Sequence, residues 1–213
     1  MKLYGYFRSS AAYRVRIALN LKGLGHDQVA IDLINGEQRG ADNLARNPQG
    51  LVPTLETDSG TRLTQSLAIC EYLDERYPEP PLLPADAEGR ARVRALAQLI
   101  ACEIHPLDNL KVLKYLTGEL GLDEAAKLAW YRHWIAEGFG ALEALLADSP
   151  ATGEFCHGDT PTLADLCLVP QVFNARRFEC ELNGYPTIRR ITARCDTLDA
   201  FQRAAPGAQP DAR

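Results

Sequence analysis

Arg8, Ser9 and Ser10 stand together where a short apolar run gives way to a helical pattern. Leu3-Tyr4-Gly5-Tyr6-Phe7 reads as a buried strand, and Tyr13 to Lys22 carries Val15, Ala18 and Leu19 at helical spacing. Serines at such a junction can cap the helix, because their hydroxyls accept from its unpaired N–H groups. The same helix end, with its positive dipole, suits an anion or a thiolate and lowers a thiol's pKa from about 8.5. For either serine alone, capping is a sufficient explanation. Arg8 adds a planar fork that pairs bidentately with carboxylates.

Two more donor stations follow. Pro53 enters the third strand-like run, Leu51 to Thr57; if the Val52–Pro53 peptide is cis, Val52 can offer its N–H and C=O to an extended peptide. Gln65 and Ser66 open the next helical run, whose end can hold a carboxylate. Each station is ordinary by itself. Together they are spaced for a short, anionic, sulfur-bearing peptide, and glutathione answers that description.

The elements that must carry these residues alternate over the first eighty positions. A strand, a helix ended by Gly23 and Gly25, and a strand at Val29-Ala30-Ile31 make a βαβ unit, whose crossover favours parallel strands. A polar loop (35–40) and the turn cluster Asn47-Pro48-Gln49-Gly50 precede the third strand. Asp58-Ser59-Gly60 then turns a hairpin into Arg62-Leu63-Thr64. Pro78, Pro80, Pro81 and Pro84 mark a linker, beyond which 91–118, 123–146, 163–178 and 186–205 read as helices or helix pairs. Thr162 to Asp165 is a capping box that reads as a folding element. These features predict a thioredoxin-like domain over 1–81 and an all-helical domain over 82–213, with a disordered tail from Pro206.

Composition narrows the classes. In 213 residues, 46 % are apolar and 24 % charged, which suits a folded globular chain. A net charge of −5 offers no general attraction to nucleic acid or anionic membrane. The absence of an apolar run of about 18 residues, and a first strand beginning at Lys2, make a cytoplasmic protein the expectation. Six scattered cysteines lack zinc-ligand spacing, and four histidines show no triad spacing, so no metal is expected. Arg14, Arg16, Arg177 and the Arg189-Arg190 pair read as structural or surface groups.

The run Ser9-Ser10-Ala11-Ala12-Tyr13-Arg14-Val15-Arg16-Ile17-Ala18-Leu19 resembles the signature of zeta-class glutathione transferases, which include maleylacetoacetate and maleylpyruvate isomerases. Asn47 to Leu55, Gln65 to Ile69, Ile104-His105-Pro106-Leu107 and Gly158 to Asp165 match that class in order. The resemblance implies a thioredoxin-like α/β N-terminal domain, an all-α C-terminal domain, and a homodimer whose 69–99 region faces the partner. It implies Ser9 and Ser10 at the glutathione sulfur, Gln49 and the Val52 backbone before Pro53 along the cysteinyl segment, and Gln65 and Ser66 at the γ-glutamyl carboxylate. Gln38, His105 and Asn109 would add contacts, and Arg8 and Arg176 would hold a small dicarboxylate substrate. Where the family signature has a cysteine after the two serines, this chain has Ala11, so only glutathione can supply the sulfur. The expected activity is glutathione-dependent cis–trans isomerisation of maleylpyruvate to fumarylpyruvate, as in bacterial gentisate-type aromatic catabolism. Maleylacetoacetate isomerisation and general glutathione conjugation are the alternatives.

Overall fold

Leu3 and Leu55, both wholly buried, lie opposite each other on the two central strands of a four-stranded sheet. In the computed structural model, which describes residues 1–213, β1 (Lys2–Gly5) leads into α1 (Ser10–Leu21) and returns in β2 (Asp27–Ala30), parallel to β1. A short helix α2 (Ala41–Arg46) follows a 3₁₀ turn at Glu37–Arg39, where the sequence had suggested only loop. Next come β3 (Thr54–Glu56), antiparallel to β1, and β4 (Arg62–Thr64), antiparallel to β3, giving the order β2-β1-β3-β4. Helix α3 (Ser66–Arg76) packs on α1 and buries Ile69, Cys70 and Leu73. The sheet and its helices are thioredoxin-like.

The chain forms two units: residues 1–82 with 196–213, and residues 83–195. Within the first unit, Lys22 anchors the segment that follows α3. Its buried ammonium donates to Asp74 Oδ1 at 3.0 Å and to the carbonyls of Tyr77 and Pro80 at 2.6 and 2.8 Å, holding the proline-rich segment on α1 and α3.

The expectation of a helical domain running to 213 with a disordered end is corrected here. The run over 186–205 is a helix pair, α8 (Pro186–Cys195) and α9 (Asp199–Ala204), and α9 packs on α1 in the first unit. Arg16 supplies the reason. Its buried guanidinium donates to Ala204 O and Phe7 O at 2.9 Å and to Tyr6 O at 3.4 Å, joining α9 to the β1–α1 junction. Beyond α9, Asp211 accepts from Phe7 N at 3.0 Å and from Gln28 Nε2 at 3.1 Å, and Arg213 pairs with Asp32. A proline- and glycine-bearing tail is ordered by these contacts despite its composition.

The second unit is helical: α4 (Ala87–Gln98), α5 (Leu110–Gly118), α6 (Glu124–Ala147), α7 (Leu163–Arg177) and α8. Helix α4 continues into a π-helical turn at Leu99–Ile104, closed by the bond from His105 N to Ile100 O at 2.9 Å. Gly138 on α6 lets that turn approach; a Cβ there would meet Ile104 side-chain carbons at 2.3 Å. Helix α7 forms the core, with Leu163 to Val172 buried without interruption. No helix is long and apolar enough to cross a membrane.

Candidate active site

The β1–α1 junction places three of the expected residues. Ser9 is the N-cap of α1, and its Oγ accepts from Ala12 N at 3.2 Å. The cap therefore uses Ser9 as an acceptor and leaves its hydroxyl proton to donate elsewhere. Ser10 begins the helix and is buried, so Ser9 is the more accessible of the two. The N–H of Ala11, in the first turn, precedes the first intrahelical bonds. Arg8, half-buried, donates from Nη2 to Tyr6 Oη at 3.0 Å, and its guanidinium carbon lies 4.9 Å from the Phe7 ring centroid. A hydroxyl and two aromatic rings hold this cation where a carboxylate would have neutralised it.

Around β3 the turn residues build a second group. Asn47 Oδ1 accepts from Gln49 N at 3.1 Å, and its Nδ2 donates to Leu51 O at 3.1 Å. Gly50 has a φ of +63°, in the left-handed region where glycine carries no Cβ penalty, and this closes the turn. Gln38, in that segment, holds Asn43 through its carbonyl and has its Oε1 buried without a partner. The Val52–Pro53 peptide is cis, and Val52 lies before the paired residues of β3.

Gln65 and Gln49, far apart in sequence, meet: Gln65 Nε2 donates to Gln49 Oε1 at 3.0 Å. Gln65 occupies the N-cap place of α3 but does no side-chain capping. Its φ of +67° is strained for a side-chain-bearing residue, a cost of about 1–3 kcal/mol that only surrounding contacts sustain. Ser66 is the first helical residue; its Oγ is engaged by Arg14.

The other expected residues belong to the second unit. His105 closes the π-helical turn, and Asn109 caps α5 with Oδ1 accepting from Lys111 N at 3.1 Å. Asn109 keeps its amide N–H groups for another partner. Arg176 is exposed in the last turn of α7.

Sequence reasoning passed over Asp108, between these two residues. It is 8 % exposed with both carboxylate oxygens lacking a donor, and burial pushes its pKa up to about 8. The buried Tyr131 hydroxyl also lacks a partner and is pushed up by burial first and the Asp108 charge second. At neutral pH Asp108 is therefore protonated in the folded chain and ionised in the unfolded one. Stability attributable to it falls as pH rises from about 4 to about 8, because only the unfolded state ionises in that window. Asp108→Asn, which cannot ionise, is expected to raise stability at pH 8 by about 2 kcal/mol, or roughly 4–8 °C in melting temperature. That gain should vanish near pH 4 when melting is followed across the range.

The Ser9-capped end of α1 and the strained Gln65 at the end of α3 are two helix N-termini whose free N–H groups suit anionic groups. Family models supply the class: "Glutathione S-transferase, N-terminal domain" matches residues 3–81 and "Glutathione S-transferase, C-terminal domain" matches residues 128–195. The chain belongs to the glutathione S-transferase family. Within it, the likeness is to the zeta class. A maleylpyruvate isomerase of Ralstonia sp is 54 % identical over 99 % of both chains. A solved holo structure of a bacterial zeta-class maleylpyruvate isomerase superposes with a TM-score of 0.98 at 54 % identity, covering 100 % of both chains. The maleylacetoacetate isomerase of Methylobacterium extorquens AM1, solved with bound malonate and glutathione, superposes at 0.97 with 45 % identity and 100 % coverage of both.

Proposed function

We propose that this protein is a glutathione-dependent cis–trans isomerase converting maleylpyruvate to fumarylpyruvate in gentisate-type aromatic catabolism, working as a cytoplasmic homodimer. The observation that carries the reading is the Arg8 guanidinium, free of any carboxylate, on the residue that directly precedes the Ser9 cap of α1.

The residues present suit glutathione. The buried, partnerless Gln38 Oε1 is an acceptor for an ammonium or amide, and the N-termini of α1 and α3 suit a thiolate and a carboxylate. Bound there, glutathione supplies the sulfur nucleophile whose reversible addition to the cis double bond frees it to rotate. Ser9, its lone pair taken by Ala12 N, donates its proton outward to hold the thiolate form. The α1 dipole acts in the same direction. Arg8, fixed over two rings, offers its free N–H groups to negative charge developing on the substrate's conjugated oxygen. Ala11 contributes no side-chain nucleophile. Arg176 is assigned, on the family resemblance, to the distal carboxylate, which would stay held while the remainder turns.

Spectroscopic turnover of maleylpyruvate and of maleylacetoacetate, each with and without glutathione, tests the reading. Maleylpyruvate should turn over faster, and only with glutathione present. A reversed preference would assign maleylacetoacetate as substrate. Faster conjugation of a chloronitrobenzene than isomerisation of either maleyl compound would make this a conjugating transferase.

A further inference from the structure

Two arginines on α1 are buried, and they differ in one respect. Arg16 spends its donors on three backbone carbonyls, which accounts for its burial as structure. Arg14, 2 % exposed, donates from Nη1 to Ser66 Oγ at 3.2 Å, while Nε and Nη2 are buried without partners. A buried cation with one neutral acceptor is costly unless an opposite charge arrives nearby. We propose that Arg14 is a positioning residue for glutathione, orienting Ser66 and supplying the fixed positive charge that faces the γ-glutamyl carboxylate. This rests on the glutathione reading above.

The polarity of the pair follows from elementary chemistry. A guanidinium has N–H donors and no acceptor, so Ser66 Oγ must accept from it. The Ser66 hydroxyl proton is thereby directed away from Arg14. Ser66 is also the first residue of α3, so its N–H lacks an intrahelical acceptor and lies at the positive end of the helix dipole. Hydroxyl and amide together make a donor pair for a carboxylate, with Arg14 behind them. Its charge acts through a low-dielectric interior, where it is screened far less than at the surface. A serine without that neighbour could turn its hydroxyl to any acceptor; with it, the donor is set before the ligand arrives.

Calorimetric titration of glutathione into the wild type, Arg14→Met, Arg14→Lys, Ser66→Ala and the Arg14→Met/Ser66→Ala double variant tests this. Arg14→Met should weaken binding about tenfold, and Arg14→Lys, which keeps charge but loses the fork, about threefold. The double variant should fall clearly short of the product of the two single losses, because the orientation of Ser66 is lost with either substitution. Cysteinylglycine, which lacks the γ-glutamyl group, should bind wild type and Arg14→Met equally. In turnover, the KM for glutathione should rise while kcat stays near wild type. Unchanged glutathione affinity in Arg14→Met, losses that multiply in the double variant, or an equal loss for cysteinylglycine would each overturn the proposal. Should Arg14→Met not fold, wild-type affinity in Arg14→Lys would overturn it by itself. A wild type that binds no glutathione would instead defeat the cofactor reading beneath it.

Discussion

Arg8→Ala is expected to lower kcat/KM for maleylpyruvate by about 10²–10³-fold, while leaving the dissociation constant of glutathione within about twofold. The physical basis is the state of the Arg8 guanidinium. It is held over Phe7 and Tyr6 and bonded to the Tyr6 hydroxyl, so it reaches the reaction already oriented and with its charge uncancelled. A cation so fixed stabilises charge as it develops without reorganising. Arg8→Lys should recover only part of the loss, because an ammonium on a flexible stem cannot reproduce the planar fork. Steady-state kinetics beside glutathione calorimetry reads both quantities. An Arg8→Ala protein with wild-type kcat/KM would remove Arg8 from the mechanism; one that no longer binds glutathione would move it to the cofactor site.

The largest stability effect is expected at Asp165. Its Oδ2 accepts from Thr162 N and from Thr162 Oγ1, both at 2.8 Å, completing the capping box at the start of α7. Its Oδ1 accepts from Cys156 N at 2.9 Å, tying the preceding loop to the same carboxylate. Asp165 is fully buried, and that burial pushes its pKa up against the pull of these donors. A cap alone accounts for about 0.5–2 kcal/mol. Asp165→Ala also strands two buried backbone N–H groups, each costing about 1–3 kcal/mol, so a loss of about 4 kcal/mol is expected. For a chain of this length that corresponds to roughly 8–16 °C in melting temperature. Turnover per folded molecule at low temperature should remain near wild type. A loss below about 2 kcal/mol would show that the loop around Cys156 finds other acceptors.

Asp165 also illustrates how far the amino-acid order could be read. Thr162 and Asp165 are three residues apart, so their reciprocal bonds are visible as a motif. The third donor, Cys156 N, lies nine residues away across a loop and has no sequence signature. The candidate site divides the same way. Ser9 at the head of α1 and the turn at Asn47 to Gly50 follow from local rules of capping and turn closure. The contact of Gln49 with Gln65, the strained backbone of Gln65 and the partnerless Asp108 do not, since each depends on what packs around it.

Strand and helix order, the ββ hairpin, the capping box and the helix-end donors were determined by the sequence itself, because each arises between residues a few positions apart. Tertiary structure alone decided that Arg14 and Arg16 are interior and that residues 196–213 belong with the first unit. The partners of those arginines, Ser66 and Ala204, lie 52 and 188 positions away. A charged side chain is buried only when distant groups come to satisfy it, and no local pattern records where they will come from.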